Sequence, residues 1–154
     1  MNSRRRLLAR AGLTAGFAML AGGGLLPRAA FATRPDKAFS AKEVDAALPE
    51  IGGDGASASE EINLQGPPGG LAENGAVVPI KVDTKLENVE SISIFAKSNF
   101  NPLVAVYEFG EGAVPYVDTR IKMAESGDVV AVVKAGGKLY STSKSVKVVA
   151  GGCG

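Results

Sequence analysis

Val129-Val130-Ala131-Val132-Val133-Lys134-Ala135-Gly136-Gly137-Lys138-Leu139-Tyr140-Ser141-Thr142-Ser143 sets two runs of strand-forming residues on either side of a glycine pair. Val129 to Lys134 and Leu139 to Ser143 flank Gly136-Gly137, and this predicts a β-hairpin. Branched and aromatic side chains suit a pleated surface, and glycines reach the backbone angles of a tight turn. Downstream, Ser145 to Val149 reads as a final strand. Upstream, Val117, Thr119, Ile121 and Met123 alternate with Asp118, Arg120 and Lys122, the period of a strand with one buried face. Leu103 to Phe109 is another apolar strand, and Ile92, Ile94 and Ala96 alternate with Ser91, Ser93 and Phe95. Val77-Val78-Pro79-Ile80-Lys81-Val82 is a strand whose proline favours an edge or a bulge. Ile62 and Leu64 open a short strand stopped by Gly66-Pro67-Pro68-Gly69-Gly70.

Seven or eight short strands separated by turns predict an all-β, immunoglobulin-like β-sandwich over residues 62–150, with a barrel as the competitor. No Cys…Trp…Cys pattern is present, so the domain is not of the antibody type. Before the strands, residues 33–61 read as a short helix and a spacer. Ser40-Ala41-Lys42-Glu43 has the spacing of a capping box, and Val44, Ala47, Leu48 and Ile51 fall on one helix face. Pro49 should end or kink that helix, with Gly52-Gly53 closing it.

The chain of 154 residues is long enough for one domain. It has 17 Lys+Arg and 16 Asp+Glu, but the near-neutral total hides an asymmetry. Arg4, Arg5, Arg6, Arg10 and Arg28 all lie within residues 1–32, which contain no acid, so residues 33–154 carry 12 basic and 16 acidic side chains. A mildly acidic body without a basic stripe argues against nucleic-acid binding, which depends on neutralising phosphates. The chain has no histidine and one cysteine. That excludes histidine triads, histidine metal ligands and thiolate metal cages, and no cofactor or metal is expected.

Ser3-Arg4-Arg5-Arg6-Leu7-Leu8-Ala9, an apolar run from Ala11 to Leu26, Pro27, and Ala30-Phe31-Ala32 form the successive regions of a cleavable export signal. Paired arginines ahead of two leucines resemble a twin-arginine (Tat) signal, which carries folded cargo. The apolar run is broken by five glycines and is short for a membrane span of about 20 residues. Residues 1–32 are therefore expected to be removed, with a mature N-terminus at Thr33, periplasmic localisation and no stable membrane insertion afterwards.

The C-terminal tail carries the chemistry. Gly151-Gly152-Cys153-Gly154 follows the last strand and reads as a flexible arm over 151–154. An extended chain from Val149 to Cys153 spans roughly 13–14 Å. That reach suffices to carry a thiol off the body and into a narrow cleft of another protein. An odd cysteine in an oxidising compartment points to an intermolecular bond or a reactive thiol. At neutral pH an ordinary thiol is only slightly ionised, and no neighbour in sequence changes that. The tail supplies reach and a sulfur atom; a partner must supply activation. A carrier arm is the first reading. A disulfide-linked dimer and an inert thiol are the alternatives.

On these residues the chain resembles the SoxY family, the sulfur-carrying subunits of thiosulfate-oxidising complexes. The resemblance rests on the Tat-type signal, on Leu71-Ala72-Glu73-Asn74-Gly75-Ala76-Val77-Val78-Pro79, on Asp118-Thr119-Arg120-Ile121-Lys122, on the Val129–Val133 strand, and above all on the Gly-Gly-Cys-Gly tail. It implies a non-enzymatic carrier whose Cys153 is the covalent attachment site, with Gly151, Gly152 and Gly154 forming the arm. It implies a SoxZ-like subunit as heterodimer partner, a SoxAX cytochrome that forms a cysteine S-thiosulfonate, a SoxB hydrolase that releases sulfate and, where present, SoxCD to oxidise the remaining sulfur. The family tail reads Gly-Gly-Cys-Gly-Gly, and this sequence departs from it by one glycine. An exported structural or interaction module, its thiol used only for dimerisation, is the rival function. An enzyme with Cys153 as nucleophile is a further one.

Other residues read more plainly. Asn74-Gly75 is a turn that requires positive φ rather than a recognition loop. Arg120 and Lys122 form a solvated strand face before they form an anion guide. Of Tyr107, Tyr116 and Tyr140, at least one belongs to the core and the others are candidate partner anchors. Glu43, Glu60 and Glu61 form no constellation, and Met123 is packing.

Overall fold

The computed structural model describes residues 34–152. The signal segment 1–32, Thr33, Cys153 and Gly154 lie outside the described residues. The hairpin predicted at Gly136-Gly137 joins β8 (Gly127–Ala135) to β9 (Lys138–Ala150). Ala135 pairs with Lys138, and both glycines between them have positive φ, 55° and 74°, the angles of a two-residue hairpin turn.

Around this hairpin stand β1 (Ala56–Ala58), β2 (Ile62–Gln65), β3 (Leu71–Asn74), β4 (Val78–Thr84), β5 (Val89–Ala96), β6 (Leu103–Glu108) and β7 (Tyr116–Ile121). One sheet runs β1-β9-β8-β5-β6, with β3 also joined to β9; the other is β2-β4-β7. The two sheets make an immunoglobulin-like β-sandwich. Ile80, Val82, Ile92, Ile94, Met123, Val129 and Val133 are fully buried in one cluster drawn from both sheets. Each such side chain is worth about 1.5–3 kcal/mol of burial before entropy is set against it.

β8 explains its own sequence. Val129, Ala131 and Val133 face the sandwich core, whereas Val130 and Val132 belong to a second cluster with Ala38, Ala47, Leu48, Phe95, Leu103 and Leu139. A strand covered on both faces has no polar side and reads as an unbroken apolar run. The cover is α1 (Asp36–Ser40), α2 (Val44–Ala47) and a 3-10 turn at Pro49–Ile51.

The N-terminal expectation needs correction. Ser40 does not cap α2. It is the last residue of α1, and its hydroxyl donates back to the Asp36 carbonyl at 2.8 Å. Glu43 occupies the N-cap of α2 without a side-chain bond. The expected apolar face is nevertheless used: Ala47 and Leu48 are buried, and Val44 and Ile51 pack beside them. Pro49 opens the 3-10 turn, and Gly52 closes it at φ 103°.

Strand boundaries also differ. The two expected final strands form one continuous β9, which pairs with β8 through Val146 and then continues alongside β3. β1 and β3 were not expected. Both are short parallel additions to β9, opposite residues 139–141 and 147–150 respectively. Ala56-Ser57-Ala58 has no buried side-chain face to announce a strand; β9 supplies the template. β4 is the middle strand of its sheet despite Pro79. β2 reaches only Lys81, so at Pro79 the strand has a neighbour on the β7 side alone.

Candidate functional site

The candidate tail emerges where β9 outruns β8. Beyond Val146 the strand loses that neighbour, and side-chain and loop groups replace it. The Val148 N–H donates to Ser126 Oγ at 2.8 Å. On the opposite edge the Gly75 N–H donates to the Ala150 carbonyl at 2.7 Å. The Met123 N–H donates to the Gly75 carbonyl at 2.7 Å, and the Gly152 N–H donates to the Met123 carbonyl at 3.0 Å. Three segments distant in sequence thus meet at the base of the tail through backbone alone.

Glycine makes this meeting sterically feasible. A Cβ on Gly75 would lie 2.5 Å from the Met123 carbonyl oxygen and 2.6 Å from the Gly152 nitrogen. A Cβ on Gly152 would lie 2.6 Å from the Ala76 nitrogen, and one on Gly151 would run into the Ala124 carbonyl oxygen. Gly75 was expected to provide positive φ. It is not among the positive-φ residues, and close approach is the reason that glycine stands there. Asn74 fixes the turn by accepting the Ala76 N–H on Oδ1 at 2.8 Å.

Asn99 supports the far wall. It is one of two buried polar residues among those described, 9% exposed. Its Nδ2 donates to the Lys122 carbonyl and its Oδ1 accepts the Ala124 N–H, both at 2.8 Å, so its amide brackets Met123. Sequence reasoning missed Asn99, since its partners are 23 and 25 residues away and no local pattern marks it.

Gly151 is exposed and lies close against the Ala124 carbonyl, and Gly152 is half-buried and bonded to Met123. Within the expected flexible arm of residues 151–154, the Gly152 N–H is bonded to the Met123 carbonyl. Cys153 and Gly154, the remaining tail residues, lie outside the described residues. Met123 is fully buried, as expected of packing. Arg120 and Lys122 are exposed. Tyr107 and Tyr140 pack against the core, while Tyr116 is 49% exposed and its hydroxyl lies 3.4 Å from Asp118 Oδ2. Glu43, Glu60 and Glu61 are exposed.

The perturbed charges lie elsewhere. The hydrogen bond from Lys134 and then the Gly137 N–H hold the Glu90 carboxyl below its ordinary value; the ion pair is 2.9 Å and pins the hairpin turn to β5. Asp118 raises Lys81 above its ordinary value, by hydrogen bond first and then by charge, across a 3.1 Å pair between β4 and β7. Among the described residues no cluster suits a metal ion. A groove of about 1070 Å³ opens on the outer sheet face, between α2 and β1 over Val130 and Val132. None of Gly75, Met123, Gly151 and Gly152 lines it.

The family model described as "Sulfur oxidation protein SoxY" matches residues 32–153. The chain belongs to the SoxY family. Among solved structures, the sulfur carrier protein SoxY from Chlorobium limicola f thiosulfatophilum is 40% identical, with a TM-score of 0.63, over 73% of this chain and 97% of that one. A superoxide reductase (neelaredoxin) variant from Ignicoccus hospitalis is 19% identical over 56% of this chain and 78% of its own, with a TM-score of 0.49. No curated protein matches the chain in sequence. For this SoxY-family chain, the match running through residue 153 takes in the glycine-bound tail base and the cysteine that follows it. Among the described residues no helix is long and apolar enough to cross a membrane.

Proposed function

We propose that this SoxY-family chain is a sulfur carrier and that Cys153 is its covalent attachment site. The observation that carries the reading is the family match that includes Cys153, the only sulfhydryl in the chain. The protein is a substrate-bearing subunit rather than an enzyme. Its sequence offers no histidine to activate the thiol, and activation therefore belongs to partners.

Loading is an oxidation. The Cys153 thiolate and thiosulfate join through a new S–S bond to give a cysteine S-thiosulfonate, and two electrons leave to a SoxAX-type cytochrome. Hydrolysis by a SoxB-type enzyme breaks the bond between the sulfane and sulfone sulfurs. Water supplies the fourth oxygen of sulfate, two protons are released, and a persulfide stays on Cys153. A SoxCD-type dehydrogenase, where present, oxidises that sulfur. A SoxZ-like subunit completes the carrier as a heterodimer. The arginine-rich leader directs folded export by the Tat route, which puts this chemistry in the periplasm.

Intact-mass analysis of protein purified from cells oxidising thiosulfate tests the reading. Reductant-sensitive sulfur and thiosulfonate additions confined to Cys153 are expected. Only free thiol or a symmetric disulfide dimer under those conditions would sink it. N-terminal sequencing checks export, with Thr33 as the expected first residue.

A further inference from the structure

We infer that Asn99 is a positioning residue for the base of the arm, and that the chain stays anchored to the body through Gly152 rather than being released at the end of β9. The inference rests on Cys153 being the attachment site. β9 ends at Ala150, and a tail free from there would give the thiol three residues of play. The backbone bonds described above remove two of them. Gly75 ties Ala150 on one side, and Met123 ties Gly152 on the other. The chain is therefore held up to Gly152, whose place is set by the position of Met123.

That position is set in turn by Asn99. Met123 gives both its backbone groups to the tail base, N–H to Gly75 and C=O to Gly152, and so needs its neighbours anchored independently. The Asn99 amide does this, by donating to Lys122 and accepting from Ala124. Ser98 adds a bond from its hydroxyl to the Glu125 carbonyl at 3.0 Å. The β5–β6 connection thus acts as a bracket for residues 122–125, whose other side grips the arm. Asn99 acts through Met123. An asparagine suits the task because its side chain carries a donor and an acceptor together.

The test combines amide hydrogen exchange with a nitroxide on Cys153, in the exported chain. In the unaltered protein the Gly152 N–H should exchange at least about tenfold more slowly than an unstructured glycine. In Asn99→Ala that protection should fall to within about twofold of the unstructured rate. The nitroxide spectrum should narrow, while the Ile94 N–H in the core keeps its protection. Asn99→Asp retains the acceptor for Ala124 and should lie between the two. Should Asn99→Ala fail to fold, Gly151→Ala loosens the same contact from the arm side, where the new methyl meets the Ala124 carbonyl. An unprotected Gly152 N–H in the unaltered protein, or undiminished protection in a folded Asn99→Ala, would overturn the inference. Neither readout depends on sulfur loading, so its failure is separable from that of the carrier reading, which the adduct mass spectrum decides.

Discussion

The β8–β9 hairpin and the base of the tail sit on the same long strand and are held by opposite means. In the hairpin, Val129 to Val133 bury side chains on both faces, and stability comes from apolar area. At the tail base there are no side chains to bury at 75, 151 and 152. The contacts there are backbone hydrogen bonds, each worth about 0.5–1.5 kcal/mol net. One strand is thus anchored at its start by irreplaceable bulk and at its end by the absence of bulk.

The contrast is most exposed to test at the sulfur. Cys153→Ser should abolish sulfur adducts completely and leave the melting temperature unchanged, read by intact mass and by thermal denaturation of the same preparation. A clear fall in melting temperature would mean that the tail is part of the folded core. The next effect is in the core itself. Ile94→Ala, at a fully buried site, should cost about 2–5 kcal/mol in urea denaturation, the usual range for cavity-forming truncations. Folded protein should still accept sulfur on Cys153. Asn74→Ala removes one turn-fixing bond beside Gly75 and should cost only about 0.5–1.5 kcal/mol.

The smallest effect concerns Glu90. Its folded-state value lies below its unfolded one, so its contribution is present above the unfolded value and is lost as pH falls through the folded value. In acid titrations followed by urea denaturation, the gap between the unaltered protein and Glu90→Gln should close on going down through that range. Because the pair is exposed, the gap should also shrink with salt.

The legibility of the fold tracks where the physical cause is local. The hairpin was readable since its two glycines and flanking valines are adjacent in sequence. The alternation at Ile92, Ile94 and Ala96 announced a buried face, and all three are buried. β1 and β3 were not readable, because neither is a strand on its own account; the edge of β9 makes them so. Ser40 looked like a cap since its spacing from Glu43 is correct, but a helix already ended there. Gly75 was recognised as a necessary glycine for the wrong reason. A turn preference is a local rule, whereas the approach of Met123 and Gly152 is a tertiary fact.

Strand periodicity and turn residues are written along the chain, and they suffice to make it all-β; the stacking of two separate sheets decides the sandwich over the barrel. The order of residues also singles out Cys153, since that cysteine is alone and follows glycines. How the tail is held is a different matter, settled by the three-dimensional packing. Asn99, Gly75, Met123 and Gly152 lie far apart in sequence, and no pattern in one segment encodes a contact made by another. Their meeting follows from the stacking of two sheets, which brings the turns after β3, β5 and β7 to the end of β9.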